Sequence, residues 1–331
     1  MLLTACSTST PAADAVPGGG SSTTAPAAAV LIADTAWGPV TPASAGSMGK
    51  VPVLMVHLVA DTDAVYTITK ARFRRTLDTL YHYGYRPITV AQLIDKRIDV
   101  PAGKRPVVFT FDDASASQFR YRERNGQLEV DPESAVGIWL DFSRRHPDWK
   151  PRATFCMLSG AEAGRSFFGN KDIEGQKTEW RFKKVQFLRD QGFELCNHTL
   201  WHANLSKYPE TFVQEQIARG QLAIDSAVPG YKVRTFALPL GVWPKNRALA
   251  RQGQWKDPKS GVVTRYDYDA ILEVAGGPSV SPFDPAFNPH AIKRFNVYFE
   301  AVDSLVARLQ RNGNGYVVGG TSTASAVATQ P

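Results

Sequence analysis

Residues 107–113 read Val107-Val108-Phe109-Thr110-Phe111-Asp112-Asp113, an apolar run that ends at two adjacent aspartates. Continuous apolar runs of this kind are typical of parallel strands that are covered on both faces. Two neighbouring carboxylates repel each other unless a cation lies nearby. The stretch therefore predicts a buried strand that delivers two acidic side chains to a site that holds a positive charge.

The pattern of a short apolar run followed by an amphipathic helix repeats along the chain. Further strands are predicted at residues 51–57, 153–158, 193–196, 235–238, 270–274, 295–298 and 316–318. Helices are predicted between a cap at Thr69 and a glycine at Gly84, and near 91–95, 132–145, 179–190, 209–226 and 302–311. Six to eight such units predict an α/β fold, a parallel barrel with outer helices that is complete or incomplete.

Polar residues follow several of these predicted strands. His57, the Asp112–Asp113 pair, His198 and the turn at residues 239–241 all stand at predicted carboxyl ends. In barrels of this class, the chemistry gathers at that end of the strands. We therefore expect these residues to share one site.

The segment Asn197-His198-Thr199-Leu200-Trp201-His202 contains two histidines four residues apart. On a helical turn, this spacing would place both imidazoles on one face. With a carboxylate from another strand end, they form a set of three ligands that leaves positions open, as in catalytic zinc sites. The same set also suits Fe(II), so the ligands do not determine the metal. Alone, such a histidine pair would more often cap a helix.

The two ends of the chain are poor in residues that form a folded core. Residues 7–50 and 319–331 consist mostly of Ala, Ser, Thr, Pro and Gly. Such segments bury too little apolar surface to offset the entropy of ordering them. We expect a low-complexity tether at 7–50, a folded domain at 51–318 and a disordered tail at 319–331.

Leu3-Thr4-Ala5-Cys6 is similar to a bacterial lipobox. Residues 1–6 are therefore interpreted as the remnant of an export signal, with Cys6 lipidated and the protein held at a membrane in the cell envelope. The alternative is a chance match, since small residues are common in this segment. No apolar run elsewhere has the length of a transmembrane helix.

The chain is basic, with a formal net charge of +7 among its 331 residues. This charge favours an anionic cell-surface polymer or a membrane surface as partner, or it reflects an ordinary solvated surface. No nucleic-acid-binding motif accompanies the charge, so we expect no nucleic-acid partner.

Two further cysteines, Cys156 and Cys196, lie near the ends of apolar strand-like runs. Small apolar residues are expected at such positions, so we predict two buried free thiols. A disulfide is the alternative in an oxidising compartment.

At the aspartate and histidine segments, the chain resembles the polysaccharide deacetylase family, carbohydrate esterases that share the chitooligosaccharide deacetylase homology domain. The family's first motif, TFDD, matches Thr110 to Asp113, and its second, H-[ST]-x-x-H, matches His198 to His202. The third motif, R-x-P-x-G, is matched in part by Ala237-Leu238-Pro239-Leu240-Gly241. The resemblance covers about residues 51–318.

The resemblance implies an incomplete or distorted (β/α) barrel of about seven parallel strands that removes N- or O-acetyl groups from glycans. Asp112 would be the general base that activates a metal-bound water. Asp113, His198 and His202 would hold a divalent ion, most often zinc, although cobalt, nickel or iron would also fit. The backbone N–H of Leu240 would donate to the tetrahedral oxyanion.

The chain departs from the family pattern at two functional positions. Ala237 replaces the arginine that orients the base, and no histidine follows His290 to act as general acid. His57 and His290 are candidates for that acid, and Arg294 is a candidate to replace the arginine. Each also has a structural interpretation, as a hydrogen-bonded histidine at a loop or strand end or as a surface ion pair.

The leading hypothesis is an exported, lipid-anchored, metal-dependent enzyme that deacetylates a cell-envelope or extracellular polysaccharide. The missing arginine and late histidine motivate a second hypothesis, a glycan-binding protein that has lost catalysis. The retained aspartates and histidines argue against it, since a binding protein has little need for a base. A third hypothesis is a hydrolase of non-sugar amides or esters.

Overall fold

The structure is a computed structural model that describes residues 48–160, 167–168, 172, 175–298 and 301–319. The predicted lipobox at 1–6, the tether up to residue 47 and the tail from residue 320 lie outside the described residues. None of the helices in the described part of the chain has the length and apolarity needed to span a membrane.

The described chain alternates strands and helices, as predicted. The strands are β1 (Val53–Val56), β2 (Leu58–Ala60), β3 (Thr67–Thr69), β4 (Tyr85–Ile88), β5 (Arg105–Phe111), β6 (Tyr121–Arg124), β7 (Gln127–Val130), β8 (Thr154–Met157), β9 (Glu194–Asn197), β10 (Thr235–Ala237), β11 (Gln252–Lys256), β12 (Val263–Asp267), β13 (Ala270–Gly276) and β14 (Ile292–Asn296). The helices are α1 (Lys70–His82), α2 (Val90–Ile94), α3 (Ala135–Arg145), α4 (Arg181–Gln191), α5 (Glu210–Ala227), α6 (Ala248–Arg251) and α7 (Val302–Arg311). Short 3-10 turns lie at Thr178–Trp180, Leu205–Lys207, Pro239–Gly241 and Pro289–Ala291.

Seven of these strands form a closed barrel. Their order is β1-β14-β13-β10-β9-β8-β5, and β5 pairs with β1 to close the ring. Every pairing in the ring is parallel. β4 adds an eighth strand beside the first half of β5. The predicted α/β barrel of about seven parallel strands is confirmed, with one strand fewer in its ring than an eight-stranded (β/α) barrel.

The alternation of side chains along β5 directs the aspartates into the barrel. Successive side chains of a strand point to opposite faces. Phe109 and Phe111 pack in the large apolar layer between the barrel and its helices, whereas Val108 packs in the barrel interior. Thr110 and Asp112 continue the inward series, so Asp112 faces the interior at the carboxyl end of the strand.

A disulfide and a buried carboxyl group lie in the barrel interior, on the amino-terminal side of the site. Cys156 and Cys196 are register partners on β8 and β9, and they form a disulfide with a Cα–Cα distance of 4.1 Å. The prediction of free thiols is therefore wrong, because parallel pairing brings the two residues directly opposite each other. Deeper in the barrel, Glu194 accepts hydrogen bonds from the hydroxyls of Thr154 at 2.9 Å and Thr235 at 2.6 Å.

One predicted strand is absent from the barrel. Residues 316–318 do not form a strand; they run along its amino-terminal end as irregular chain. The backbone N–H of Tyr316 donates to Lys50 and that of Val318 donates to Lys104. The apolar character of this segment therefore reflects burial of Tyr316 and Val318 against the barrel rather than a place in the sheet.

Candidate active site

Asp112 is paired with Arg294, which reaches it from β14 across the barrel interior. The two guanidinium NH2 groups donate to the two carboxylate oxygens, each at 2.7 Å. The same guanidinium donates to the Thr110 hydroxyl at 3.0 Å and to the Glu273 carbonyl at 2.6 Å. Arg294 is 0% and Asp112 1% exposed. The pair is therefore a buried, bidentate ion pair rather than a surface contact, as the candidacy of Arg294 for the place of the missing arginine requires.

The charge state of Asp112 follows from this pairing. Burial alone would raise its pKa, but the Arg294 guanidinium, together with His198, holds the pKa of Asp112 well below its ordinary value. Asp112 is consequently a carboxylate at neutral pH. Its two oxygens are fixed in orientation by the fork of the guanidinium.

Asp113, His198 and His202 converge beside this pair. Asp113 Oδ1 lies 3.4 Å from His198 Nε2 and 3.6 Å from His202 Nε2. One ligand atom from each residue lies within 4.8 Å of the other two. The three side chains that the sequence assigned to a metal are therefore in one place, with spacings longer than well-formed hydrogen bonds.

The donor atoms of this cluster fit a cation. Nδ1 of His198 lies 2.9 Å from the carbonyl oxygen of Ala237. A carbonyl only accepts, so Nδ1 carries the proton and Nε2 presents a lone pair to the cluster. Within the described residues, His198 Nε2 and Asp113 Oδ1 are buried atoms without a hydrogen-bond partner. Buried acceptors of this kind are costly unless a cation or water satisfies them.

The loop that carries the histidines is not helical. β9 ends at Asn197, and positive φ angles of 72° at Thr199 and 60° at His202 turn the chain back. The expectation of a helical turn is wrong; both imidazoles reach Asp113 because the backbone is strained, as is common at active sites. The Thr199 hydroxyl accepts a hydrogen bond from the His202 N–H at 3.1 Å, consistent with its expected role in shaping the loop.

His57 lies at the edge of the same site. It lines a cavity of about 410 Å³ together with Tyr66, Asp113, Trp201 and His202. Burial lowers the pKa of His57, and the negative charges of the neighbouring aspartates offset this only in part. Tyr66 packs against the His57 ring with centroids 5.0 Å apart. Tyr66 is 46% and Trp201 37% exposed, so the cavity has two open aromatic walls.

His290 lies elsewhere. It is part of the 3-10 turn that precedes the amino end of β14, whereas the site is at the opposite end of the strands. The charged groups that act on it are Arg251, Asp267 and Asp269, none of which belongs to the cluster. His290 is therefore not positioned to act as the general acid. Its late position in the sequence, where the family has its general acid, does not bring it to the site.

The turn of the third motif borders the site. Ala237 ends β10, and its carbonyl holds His198. Leu240 follows with φ 57° and an exposed side chain. A Cβ at Gly241 would come within 2.7 Å of the Val274 side chain, so only glycine fits there. The oxyanion role of the Leu240 N–H stays a prediction.

Comparisons with known proteins agree with this architecture. Residues 147–254, which include His198, His202 and the third-motif turn, match the family model described as polysaccharide deacetylase. A chitooligosaccharide deacetylase from Sinorhizobium fredii (strain NBRC 101917 / NGR234) is 27% identical over 157 residues, which cover 44% of this chain and 70% of that protein.

Solved structures show the same fold. The Streptococcus pyogenes deacetylase PplD in complex with acetate superposes with a TM-score of 0.55 at 15% identity, covering 78% of this chain and 97% of that one. BC0361, a polysaccharide deacetylase from Bacillus cereus, gives a TM-score of 0.54 at 19% identity, covering 78% of this chain and 68% of that one. These structures show the fold, and the family-model match over residues 147–254, the curated relative and the motifs around Asp112 and His198 together support the polysaccharide deacetylase family for this chain.

Proposed function

We propose that this protein is a metal-dependent hydrolase that removes acetyl groups from a cell-envelope or extracellular polysaccharide. Family membership supports polysaccharide deacetylation in general. The observation that carries the proposal is the ionised Asp112, oriented by Arg294, beside the convergent groups of Asp113, His198 and His202. Within the described residues, the buried Asp113 Oδ1 and His198 Nε2 atoms lack a hydrogen-bond partner. This arrangement provides a base next to a site for a divalent cation.

Asp113, His198 and His202 would hold the ion, most often zinc, with cobalt, nickel or iron as other candidates. Such an ion supplies two kinds of chemistry, polarisation of the acetyl carbonyl and a lowered pKa for water. The hydrogen bond from His198 Nδ1 to the Ala237 carbonyl fixes the tautomer that leaves Nε2 free to ligate the ion. Burial and the neighbouring His198 lower the pKa of His202 to about 4, so its imidazole is neutral and able to ligate at neutral pH.

Asp112 would accept the proton of the attacking water. Its depressed pKa makes it a weak base, which suffices only for a water that is already acidified. Arg294 keeps the carboxylate ionised and prevents its rotation. The base and the cation site therefore depend on each other.

His57 is our candidate for the proton donor to the leaving group. Burial lowers its pKa, which makes the protonated imidazole a stronger acid. It shares the cavity with Asp113 and His202, so a substrate in the cavity would lie within its reach. The N–H of Leu240, in the bordering turn, is proposed to donate to the oxyanion.

The cavity and the chain's charge suggest the substrate class. Tyr66 and Trp201 offer exposed aromatic faces beside the cavity, and such faces stack well on sugar rings. We further propose that lipidation of Cys6 and the basic character of the chain keep the enzyme near an envelope polymer.

The proposal is tested by measuring acetate release from a panel of acetylated glycans and a chromogenic acetyl ester. Chelator-stripped protein is compared with protein restored with Zn²⁺, Co²⁺ or Ni²⁺. We expect acetate release only from restored protein. Metal-bound protein that binds glycans but releases no acetate would contradict the proposal and support the glycan-binding alternative. Release from small acyl amides alone would support the non-sugar hydrolase.

A further inference from the structure

Gln118 is a buried glutamine whose side-chain amide connects the two proposed proton-transfer residues. Its Nε2 donates to the backbone carbonyl of His57 and to that of Asp112, both at 2.6 Å. The residue is 0% exposed. A single NH2 group thus holds the main chain of the proposed acid and of the proposed base.

The orientation of this amide is determined by its partners. Both neighbours are carbonyl oxygens, which only accept hydrogen bonds, so the NH2 group and not the amide oxygen must face them. Its two protons satisfy one carbonyl each. Within the described residues, the Gln118 Oε1 atom makes no hydrogen bond, so the side chain is placed by these two donations.

Gln118 acts where the barrel ladder ends. β1 and β5 pair up to Val56 and Phe111, and the Asp112 N–H makes a last bond to the Val56 carbonyl at 3.0 Å. The glutamine amide supplies the next link between them, at the residues whose side chains enter the site.

Hydrogen bonds to a helix and a strand position Gln118 and its neighbour Ser117. Its N–H donates to the Ser115 carbonyl, and its own carbonyl accepts from the Val136 N–H on α3, both at 2.9 Å. The adjacent Ser117 hydroxyl accepts from the Val59 N–H on β2 at 3.1 Å. The link between acid and base is therefore anchored to a strand and a helix on either side.

We infer that Gln118 is a positioning residue that sets the distance between the Asp112 base and the His57 acid. This inference rests on the proposed function. Because Gln118 lies behind the main chain and not among the cavity-lining residues, it affects turnover through His57 and Asp112 rather than through substrate contact. Its loss should lower kcat and leave KM unchanged.

The test is Gln118→Met, which keeps the volume and removes both donors. We expect kcat on an acetylated glycan to fall on the order of 10–100-fold, the effect of a small misplacement of catalytic groups. KM and bound metal should stay at wild-type values. The loss should be smaller on a nitrophenyl acetate, whose leaving group departs without a proton from His57.

Gln176→Met is the matched control. Gln176 is also buried, and it also makes two backbone hydrogen bonds, both with Tyr121 at the β6–β7 hairpin. We expect it to lower thermal stability as Gln118→Met does, with wild-type kcat. An unchanged kcat in Gln118→Met, or an equal loss of kcat in both variants, would overturn the positioning role.

A second variant at the same position tests the inference if Gln118→Met does not fold. Gln118→Asn keeps the amide but is too short to reach both carbonyls, and the same fall in kcat is expected. If neither Gln118 variant folds while Gln176→Met does, the residue is structural and the inference is rejected. Wild-type acetate release that is lost in Asp112→Asn shows that the proposed function stands even where the role of Gln118 fails.

Discussion

Replacing Arg294 by methionine removes the cation from a carboxylate that is almost completely buried. Arg294 makes two 2.7 Å bonds to Asp112 and further bonds to Thr110 and Glu273. Removing one partner of such a pair leaves an uncompensated buried charge and costs about 3–5 kcal/mol of unfolding free energy. Without the guanidinium, burial would also shift the pKa of Asp112 upward, and the carboxylate would no longer be held in orientation. We expect a fall in kcat of about 10²–10⁴-fold.

The assay combines urea denaturation with acetate release from metal-restored protein. Arg86→Met is the matched control, because Arg86 is also a buried arginine. Its Nε donates to Asp148 Oδ2 at 2.7 Å, and this carboxylate lies outside the site. Asp148 is more exposed than Asp112, so the control should lose less stability. It should keep wild-type turnover.

A double variant tests the reasoning behind the magnitude. Arg294→Met combined with Asp112→Asn has no buried charge left, so it should be more stable than Arg294→Met alone. The pKa of Asp112 is lowered by folding, so the pair should stabilise fully above about pH 3.9 and lose its effect only at lower pH. A double variant as unstable as the single one, or an active Arg294→Met enzyme, would refute the account.

Three further predictions concern the metal, the acid and the disulfide. In the metal-free protein, the carboxylates beside His198 raise its pKa although burial opposes them, so apparent zinc affinity measured by competition titration should weaken as pH falls below neutral; a pH-independent affinity would contradict this. His57→Ala should lower kcat on acetylated glycans about 10²–10⁴-fold, whereas His290→Ala should leave it unchanged, and the reverse result would restore His290 as the acid. Replacing Cys156 and Cys196 together by alanine should lower the unfolding free energy by about 2–4 kcal/mol in urea and abolish any effect of reductant; unchanged stability would argue against the disulfide.

The parts of the fold with a strong local pattern were predictable. The helix α7 has the predicted bounds, and α1 begins at the predicted cap, where the Thr69 hydroxyl accepts from the Arg72 N–H at 3.0 Å. Gly84 lies just beyond the end of α1 with φ 80°, as expected for a left-handed stop. In these cases the residues that determine the structure are adjacent in sequence.

The short hairpins were missed, although one had a usable signal. β6 and β7 are joined at Asn125-Gly126, a dipeptide that favours a two-residue hairpin turn. Their side chains are largely exposed, so the strands lack the apolar run by which the barrel strands were identified. A search based on buried strands does not find pairs of solvent-exposed ones.

For the site, the sequence predicted that the aspartate and the two histidines converge, but not the backbone conformation and hydrogen bonds that position them. Asp113, His198 and His202 converge as their motifs indicate, yet the loop geometry depends on positive φ angles that no propensity predicts. Arg294 was a candidate from the sequence, but its partner Asp112 lies 182 residues away, and Gln118, which the sequence did not single out, reaches His57 over 61 residues. Such partners become visible only in three dimensions.

The most direct test compares Asp112→Asn with His198→Ala, measuring bound metal and acetate release on the same samples. The account assigns proton transfer to one residue and metal binding to the other. It predicts that Asp112→Asn retains the metal but has no turnover, whereas His198→Ala loses the metal and the activity together. Wild-type turnover by Asp112→Asn with metal bound would contradict it.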